Sequence, residues 1–113
     1  MVLSALRIIK FQLPIRLLYI GRLIEKKGVQ ILIKAMDFLS NKDEYFLDIV
    51  GDGPYRQILQ QLSDSMNLKK NICFHGNQRN VLDYFYQADI FIHPAIWEEG
   101  FGITIIEAMS CGK

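Results

Sequence analysis

The residues best suited to chemistry lie close to the carboxyl terminus of the sequence. Gly100 and Gly102 bracket a loop that leads directly into a predicted helix. Glu99 precedes the first glycine, and Glu107 lies inside the helix. Free backbone amides at a helix start bind anions such as phosphate, and carboxylates accept hydrogen bonds from sugar and ribose hydroxyls. The segment therefore predicts an extended ligand that carries both phosphate and hydroxyl groups.

The two glutamates admit a second interpretation. Paired carboxylates act as acid and nucleophile in the hydrolysis of glycosides. Because Glu107 lies within the predicted helix and a predicted anion site adjoins both glutamates, we favour ligand binding over glycoside hydrolysis.

A metal site is not predicted. The sequence contains no Asp-x-Asp pair. Cys73 and His75 share one face of a predicted strand and His93 follows the next strand, but zinc needs further ligands at suitable spacing and none is present nearby. We therefore expect neither a metal nor another cofactor.

A loop with three cations, residues 21–28, follows the first predicted strand. Its Arg22 and Lys27 can neutralise a diphosphate, because arginine offers a planar fork of donors and lysine a mobile point charge. A solvated surface loop near a helix start is the alternative interpretation.

Two further glycine-containing segments follow predicted strands. Residues 51–54 let the backbone approach a ligand, or simply turn the chain from strand to helix with Pro54 at the first helical position. Residues 74–78, which include His75 and Gly76, present backbone groups to a base or ribose, or form a plain loop.

The hydrophobic pattern places all these segments in one kind of fold. Apolar runs typical of buried strands occur at 15–20, 46–50, 71–75 and 89–93, and helical periodicity occurs at 27–39, 54–66, 80–88 and 104–109. Strands joined by helices need crossover connections, which give a parallel sheet with helices on both faces. We predict a Rossmann-like α/β domain over 15–113, with 1–14 as a tail or linker remnant. Ligands of such sheets bind beyond the carboxyl ends of the strands.

The composition excludes several classes of protein. The 113 residues are 50% hydrophobic and 22% charged, which is typical of a globular domain and not of a disordered chain. A net charge of +1 gives no support for nucleic acid as a partner. The two cysteines, Cys73 and Cys111, and the lack of a signal-peptide or membrane-spanning run predict a cytoplasmic protein with reduced thiols.

The amino-terminal segment allows one qualification. Arg7, Lys10 and Arg16 occur in the first eighteen residues without an acidic residue, among apolar side chains. Such a segment can lie against an anionic membrane surface, here the inner face, or it can be an ordinary tail. Peripheral membrane contact is therefore an open alternative.

Taken in order, the motifs resemble the C-terminal domain of family 4 (group 1) retaining glycosyltransferases of the GT-B fold. The resemblance covers residues 16–113 and rests on Gly-Arg-Leu at 21–23, Lys-Lys-Gly at 26–28, Val-Gly-Asp-Gly-Pro at 50–54, Phe-His-Gly at 74–76, Ala-Asp-Ile-Phe-Ile-His-Pro at 88–94 and the stretch from Glu99 to Gly112. Each motif alone is weak, but their ordered combination is specific. Glu99 and Glu107 match the two glutamates of the family's Glu-x7-Glu signature.

The resemblance implies a role for each matching residue. Diphosphate contacts are implied for Arg22, Lys27, Gly102 and Ile103, sugar contacts for Glu99, Gly100 and Phe101, a ribose contact for Glu107, and the base region for Gly51, His75 and Gly76. Of these, Glu99 is the candidate catalytic residue, because it matches the glutamate that contacts the transferred sugar. The implied mechanism is stabilisation of the departing nucleoside diphosphate by two cations and a helix start, without a metal.

The resemblance also implies substrates and a larger enzyme. The donor is expected to be a UDP- or GDP-activated hexose, and the acceptor a carbohydrate or lipid-linked glycoconjugate bound by a separate N-terminal domain. In the family, Cys-Gly-Lys is followed by further strands and helices, so we expect an incomplete donor-binding half that is inactive by itself. Two alternatives stay open: a non-catalytic nucleotide- or partner-binding module, and a related GT-B sugar-nucleotide epimerase.

Overall fold

Four parallel strands lie at the centre of the computed structural model, which describes residues 13–94. The strands are β1 (Ile15–Ile20), β2 (Tyr45–Val50), β3 (Ile72–Gly76) and β4 (Ile90–Phe91). The helices are α1 (Val29–Asp37), α2 (Arg56–Ser65) and α3 (Leu82–Gln87), and 3-10 turns occupy Glu25–Lys27 and Lys42–Glu44. No helix within residues 13–94 is long and apolar enough to cross a membrane.

The order of the strands in the sheet is β3-β2-β1-β4, and each neighbouring pair is parallel. β1 pairs with β2 along its whole length, from Ile15 opposite Tyr45 to Ile20 opposite Val50. After β3 the chain crosses to the far side of β1, so β1 and β4 flank a topological switch point. Open α/β sheets bind ligands beyond the carboxyl ends of the strands at such a point.

Helices cover both faces of the sheet. Because successive side chains of a strand point to opposite faces, Leu17 and Leu18 of β1 enter different hydrophobic clusters. Leu17 belongs to the larger cluster, which includes Ile33 of α1 and Leu59 of α2. Leu18 packs on the other face in a smaller cluster with Phe85 of α3. The predicted fold class, a Rossmann-like parallel sheet with helices on both faces, is confirmed.

The first helix is shorter than its periodicity predicts. The pattern predicts a helix over 27–39, whereas Lys27 ends a 3-10 turn and α1 runs from Val29 to Asp37. Gly28 separates the two at φ 79°, a left-handed conformation that interrupts helical bonding and favours glycine. The carboxyl-terminal boundary is also early, because Phe38 already caps the helix.

The second helix begins later than the sequence predicts. Pro54 is expected at its first helical position, but α2 begins at Arg56, and this expectation is wrong. The backbone N–H of Tyr55 donates to the carbonyl of Leu23 at 2.9 Å. That bond ties the turn to the loop after β1, so Pro54 belongs to the turn.

The fourth strand is reduced to two residues. The pattern predicts a strand over 89–93, but only Ile90–Phe91 pair as β4. Asp89 closes its start: its N–H donates to the carbonyl of Arg16, and its carboxylate accepts from the N–H of Arg16, each at 2.8 Å. The N–H of Ile92 still donates to Leu18 at 2.8 Å, so the chain stays beside β1 after β4 ends.

Candidate functional site

The loop after β1 interlocks with the loop after β2 at the carboxyl edge of the sheet. The N–H of Gly21 donates to the carbonyl of Val50 at 3.0 Å, and the N–H of Leu23 donates to Asp52 at 3.0 Å. Leu23 also accepts from Tyr55, and its side chain is fully buried in the larger core. Arg22 therefore lies between two residues whose backbone positions are fixed.

Two glycines allow this close approach of the loops. Gly51 has φ 135°, and a Cβ on it would lie 1.8 Å from the carbonyl oxygen of Gly21. A Cβ on Gly53 would lie 2.4 Å from the carbonyl oxygen of Leu23. Close packing of the two loops is therefore enough to explain why glycine occupies positions 51 and 53. This agrees with the interpretation of residues 51–54 as a turn from strand to helix. The role of Gly51 in a base region stays a prediction.

A buried tyrosine holds the backbone of Arg22. The hydroxyl of Tyr19, near the end of β1, donates to the carbonyl of Arg22 at 2.7 Å. Tyr19 is almost fully buried, whereas Arg22 is exposed. Among residues 13–94, no side chain forms an ion pair with the Arg22 guanidinium. The structure thus presents an exposed cationic side chain on an anchored backbone at the carboxyl end of β1.

Two of the predicted diphosphate residues lie in the loop after β1, on one side of the switch point. Arg22 and Lys27 belong to the connection between β1 and α1, and the chain leaves β4 beside β1 through Ile92. The remaining predicted residues of the terminal motif fall outside the described residues: Glu99, Gly100, Phe101, Gly102, Ile103 and Glu107. The described part of the chain ends at Pro94, five residues before Glu99.

His75 directs its side chain to the sheet face and not toward the carboxyl edge. Its Nε2 lies 2.7 Å from Oδ1 of Asp48, and its ring packs edge-on against Tyr84 with centroids 4.9 Å apart. The second oxygen of Asp48 accepts from Nη2 of Arg16 at 2.6 Å. This Arg16–Asp48–His75 network bridges three strands, so only the backbone of His75 remains for the predicted base contact.

Sequence reasoning missed this network, although a signal for it exists. Arg16 and Asp48 are charged residues inside otherwise apolar strand segments. A buried charge is costly unless it is paired, and Asp48 is only 5% exposed. Two opposite charges in neighbouring strands of a parallel sheet therefore predict an ion pair across the strands.

The cysteine and histidine residues of the described chain do not form a metal site. Sγ of Cys73 lies 3.9 Å from Nδ1 of His75, which confirms that the two share a strand face. Cys73 is a free thiol. Within residues 13–94, no three His, Cys, Asp or Glu side chains group closely enough to hold a metal ion. The expectation of a metal-independent site stays a prediction.

The sequence matches one family over nearly its whole length. Residues 8–113 fit the model of the glycosyl transferases group 1. The chain belongs to this family. An uncharacterised glycosyltransferase of Methanocaldococcus jannaschii is 36% identical over 92 residues, which are 80% of this chain and 22% of that protein. The lipopolysaccharide core biosynthesis glycosyltransferase LpsD of Rhizobium meliloti is 33% identical over 93 residues, 82% of this chain and 26% of LpsD.

Solved structures share the fold of this chain. The Anabaena protein HepE in complex with UDP has a TM-score of 0.82 and 26% identity, covering 98% of this chain and 31% of HepE. HepE has also been solved in complex with UDP-glucose. The chain spans less than a third of the length of each of these three proteins.

A second charged pair lies at the carboxyl edge of this glycosyltransferase domain. Nη1 of Arg56 donates to Oδ2 of Asp52 at 2.9 Å, and the N–H of Gly53 donates to Oδ1 of Asp52 at 2.8 Å. The Gly53 amide and then the Arg56 guanidinium lower the pKa of the Asp52 carboxyl below its ordinary value. Sequence reasoning did not single out Arg56, because an arginine in the first turn of an amphipathic helix is usually a surface residue.

We predict a pH-dependent cost for Asp52→Asn. A depressed carboxyl pKa in the folded state stabilises the fold above the unfolded pKa of about 4, and this contribution is lost as the pH falls through the folded pKa. The variant is therefore expected to be less stable than the wild type at pH 7, and the difference should shrink below about pH 4. Urea unfolding of both proteins across this range measures it.

The matched control is Asp64→Asn on α2. Asp64 is exposed, and no residue within 13–94 forms an ion pair with it. Its substitution should leave the free energy of unfolding nearly unchanged at both ends of the range. A difference between wild type and Asp52→Asn that stays constant with pH would contradict the assigned electrostatic cause.

Proposed function

We propose that the chain is the donor-binding part of a family 4-type retaining glycosyltransferase that transfers a hexose from a nucleoside-diphosphate sugar. The sheet order β3-β2-β1-β4 carries this proposal. It sets β4 parallel to β1, so the cationic loop after β1 and the chain that follows β4 leave the same edge of the sheet, and Glu99 and Glu107 come later in the sequence. The UDP and UDP-glucose complexes of HepE, a similar structure, support a nucleotide-sugar donor.

The proposed chemistry is stabilisation of the leaving group. Negative charge grows on the diphosphate as the sugar departs, and Arg22 and Lys27 offset this charge without a metal. Preorganised charges of this kind lower the barrier because they need no rearrangement during the reaction. The Tyr19 bond and the interlocked loops fix the backbone of Arg22, which reduces the ordering that binding requires.

The residues of the terminal motif complete the proposed site. Glu99, with Gly100 and Phe101, contacts the transferred sugar, and Glu107 binds the ribose hydroxyls. The backbone of Gly102 and Ile103 meets the diphosphate. Carboxylates suit the first two tasks because they accept several hydrogen bonds from hydroxyl groups.

The acceptor is proposed to be a glycoconjugate, as in the synthesis of surface polysaccharide or lipopolysaccharide. The similarity to LpsD supports this assignment. Acceptor contacts are expected from parts of the enzyme outside this chain, which spans a quarter of LpsD. The 113-residue chain is therefore proposed to bind the donor without transferring sugar by itself. A cytoplasmic location with peripheral membrane contact stays a prediction.

Replacing Arg22 with alanine tests the donor site. The wild type is expected to bind UDP or GDP, and Arg22→Ala should weaken binding about tenfold to a hundredfold, because a charge-assisted hydrogen bond to phosphate is lost. Isothermal titration calorimetry with UDP, GDP and ADP measures the effect. Since Arg22 contacts the diphosphate, all nucleotides that bind should weaken by a similar factor.

The control for lost charge is Lys34→Ala on the exposed face of α1. Lys34 lies in the last turn of α1, away from the loop after β1, so its removal should leave nucleotide affinity unchanged. If no nucleoside diphosphate binds the folded wild type, the donor-site proposal fails. Equal affinities for wild type and Arg22→Ala would instead remove Arg22 from its proposed role.

A further inference from the structure

Arg56 is held in a fixed position at the carboxyl edge of the sheet. It is the first residue of α2, and its Nη1 donates to the Asp52 carboxylate at 2.9 Å. Asp52 is itself held by the Gly53 amide and by the bond between its own carbonyl and Leu23. The guanidinium is therefore attached to the same interlocked loops that fix Arg22.

The guanidinium of Arg56 extends over the end of β3. Its Nη1 lies 3.3 Å from the position that a Cβ on Gly76 would occupy. Gly76 has φ 70°, and its carbonyl accepts from the N–H of Gly51 at 2.8 Å. A glycine at the end of β3 thus leaves space for the arginine beside the two glycines assigned to the base region.

Most hydrogen-bonding capacity of Arg56 is unused within the described chain. Arginine carries five N–H donors and no acceptor. Among residues 13–94, the side-chain partner of Arg56 is Asp52, and the Arg56 side chain is 32% exposed. A planar, donor-only group at this position suits a flat ligand with carbonyl oxygens. Uracil and guanine carry such oxygens, whereas adenine presents an amino group in the corresponding place.

The spacing of the strands allows one ligand to reach both arginines. Strands in a sheet lie about 4.8 Å apart, so the ends of β1 and β3, separated by β2, lie roughly 10 Å apart. A single nucleoside diphosphate can span this separation, with its phosphates at Arg22 and its base over Gly76. The two arginines would then contact opposite ends of the nucleotide.

We propose that Arg56, oriented by Asp52, is a base-specificity residue that favours nucleotides with a carbonyl-bearing base, UDP and GDP, over ADP. This inference rests on the proposed donor site. It assigns to Arg56 a contact with the base. Arg22 contacts the diphosphate, and its contribution to affinity does not depend on which base the nucleotide carries.

Calorimetric titration of the whole 113-residue chain tests the assignment, with UDP, GDP, ADP and inorganic pyrophosphate as probes. Arg56→Ala is expected to weaken whichever of UDP and GDP binds the wild type by about tenfold, with ADP and pyrophosphate unchanged. Arg56→Lys keeps a cation beside Asp52 but lacks the planar fork, so it should preserve thermal stability and restore only part of the UDP or GDP affinity. Arg22→Ala should weaken all four ligands.

The outcomes separate this inference from the proposed function. Equal weakening of all four ligands in Arg56→Ala would show that Arg56 acts on the phosphates or on folding, and would overturn the base assignment. Unchanged affinities in Arg56→Ala, or full recovery in Arg56→Lys, would also overturn it while leaving the donor site intact. Absence of any binding by the folded wild type would overturn both.

Discussion

Gly51→Ala is expected to destabilise the folded chain by about 3 kcal/mol or more. The new methyl group would lie 1.8 Å from the backbone oxygen of Gly21, and alanine is strained at φ 135°. Neither loop can yield easily, because Gly21 is hydrogen-bonded to Val50 at the end of β2 and Leu23 to Asp52 just after it. Urea unfolding followed by circular dichroism should show a large fall in the transition midpoint, or no folded state at all.

Gly76→Ala is the matched variant, because it introduces strain from a positive φ without a clash against backbone atoms. Gly76 also has a positive φ, but the nearest atom to its added Cβ is Nη1 of Arg56 at 3.3 Å, a side-chain atom that need shift by only a few tenths of an ångström. Its expected cost is the left-handed conformation alone, about 1–2 kcal/mol. If Gly51→Ala cost no more than Gly76→Ala, the close approach of the two loops would be refuted.

Phe85→Ala is expected to cost about 3–5 kcal/mol, the range for removing a buried phenylalanine. Phe85 is fully buried and is the largest of the buried residues in the small cluster that joins α3 to the sheet. Its ring centroid lies 5.5 Å from that of Phe91, so its loss also removes packing from β4. The loss should appear as a lower free energy of unfolding in urea.

Tyr86→Ala provides the matched control on the same helix. Tyr86 is the next residue along α3, is also aromatic, and is 69% exposed. Its substitution is expected to change the free energy of unfolding by less than about 0.5 kcal/mol. Comparable losses from Tyr86→Ala and Phe85→Ala would contradict the packing of α3 against β1 and β4.

Periodicity alone predicted the alternation of strands and helices, because burial on both faces requires apolar runs such as Leu17 to Tyr19. The residues at which helices and strands begin and end were less predictable, since they depend on the conformation or hydrogen bonding of single residues. Gly28 adopts a left-handed conformation that separates Lys27 from α1, and Asp89 uses its side chain to close the start of β4. Neither event has a periodic signature.

In the candidate site, too, some features were predictable from the sequence and others were not. Arg22 and Lys27 were predicted from a motif, and the structure places both in the connection that follows β1. The Tyr19 bond, the interlock through Leu23 and the position of Arg56 were not predicted, because each depends on contacts between segments distant in sequence or on the exact turn geometry. Only the paired charges of the Arg16–Asp48–His75 network were accessible to reasoning about burial cost.

The position of β1 has a consequence for dynamics. Among the four described strands, β1 and β2 are internal, whereas β3 and β4 are edges. Edge strands fray first, and internal strands exchange their amide hydrogens only in larger opening events. The loop that carries Arg22 continues from β1 and is hydrogen-bonded through Gly21 to Val50, the end of β2, and through Leu23 to Asp52. The proposed contact of Arg22 with a diphosphate would therefore rest on the two described strands that open last, so fraying of β3 or β4 need not displace the backbone of Arg22.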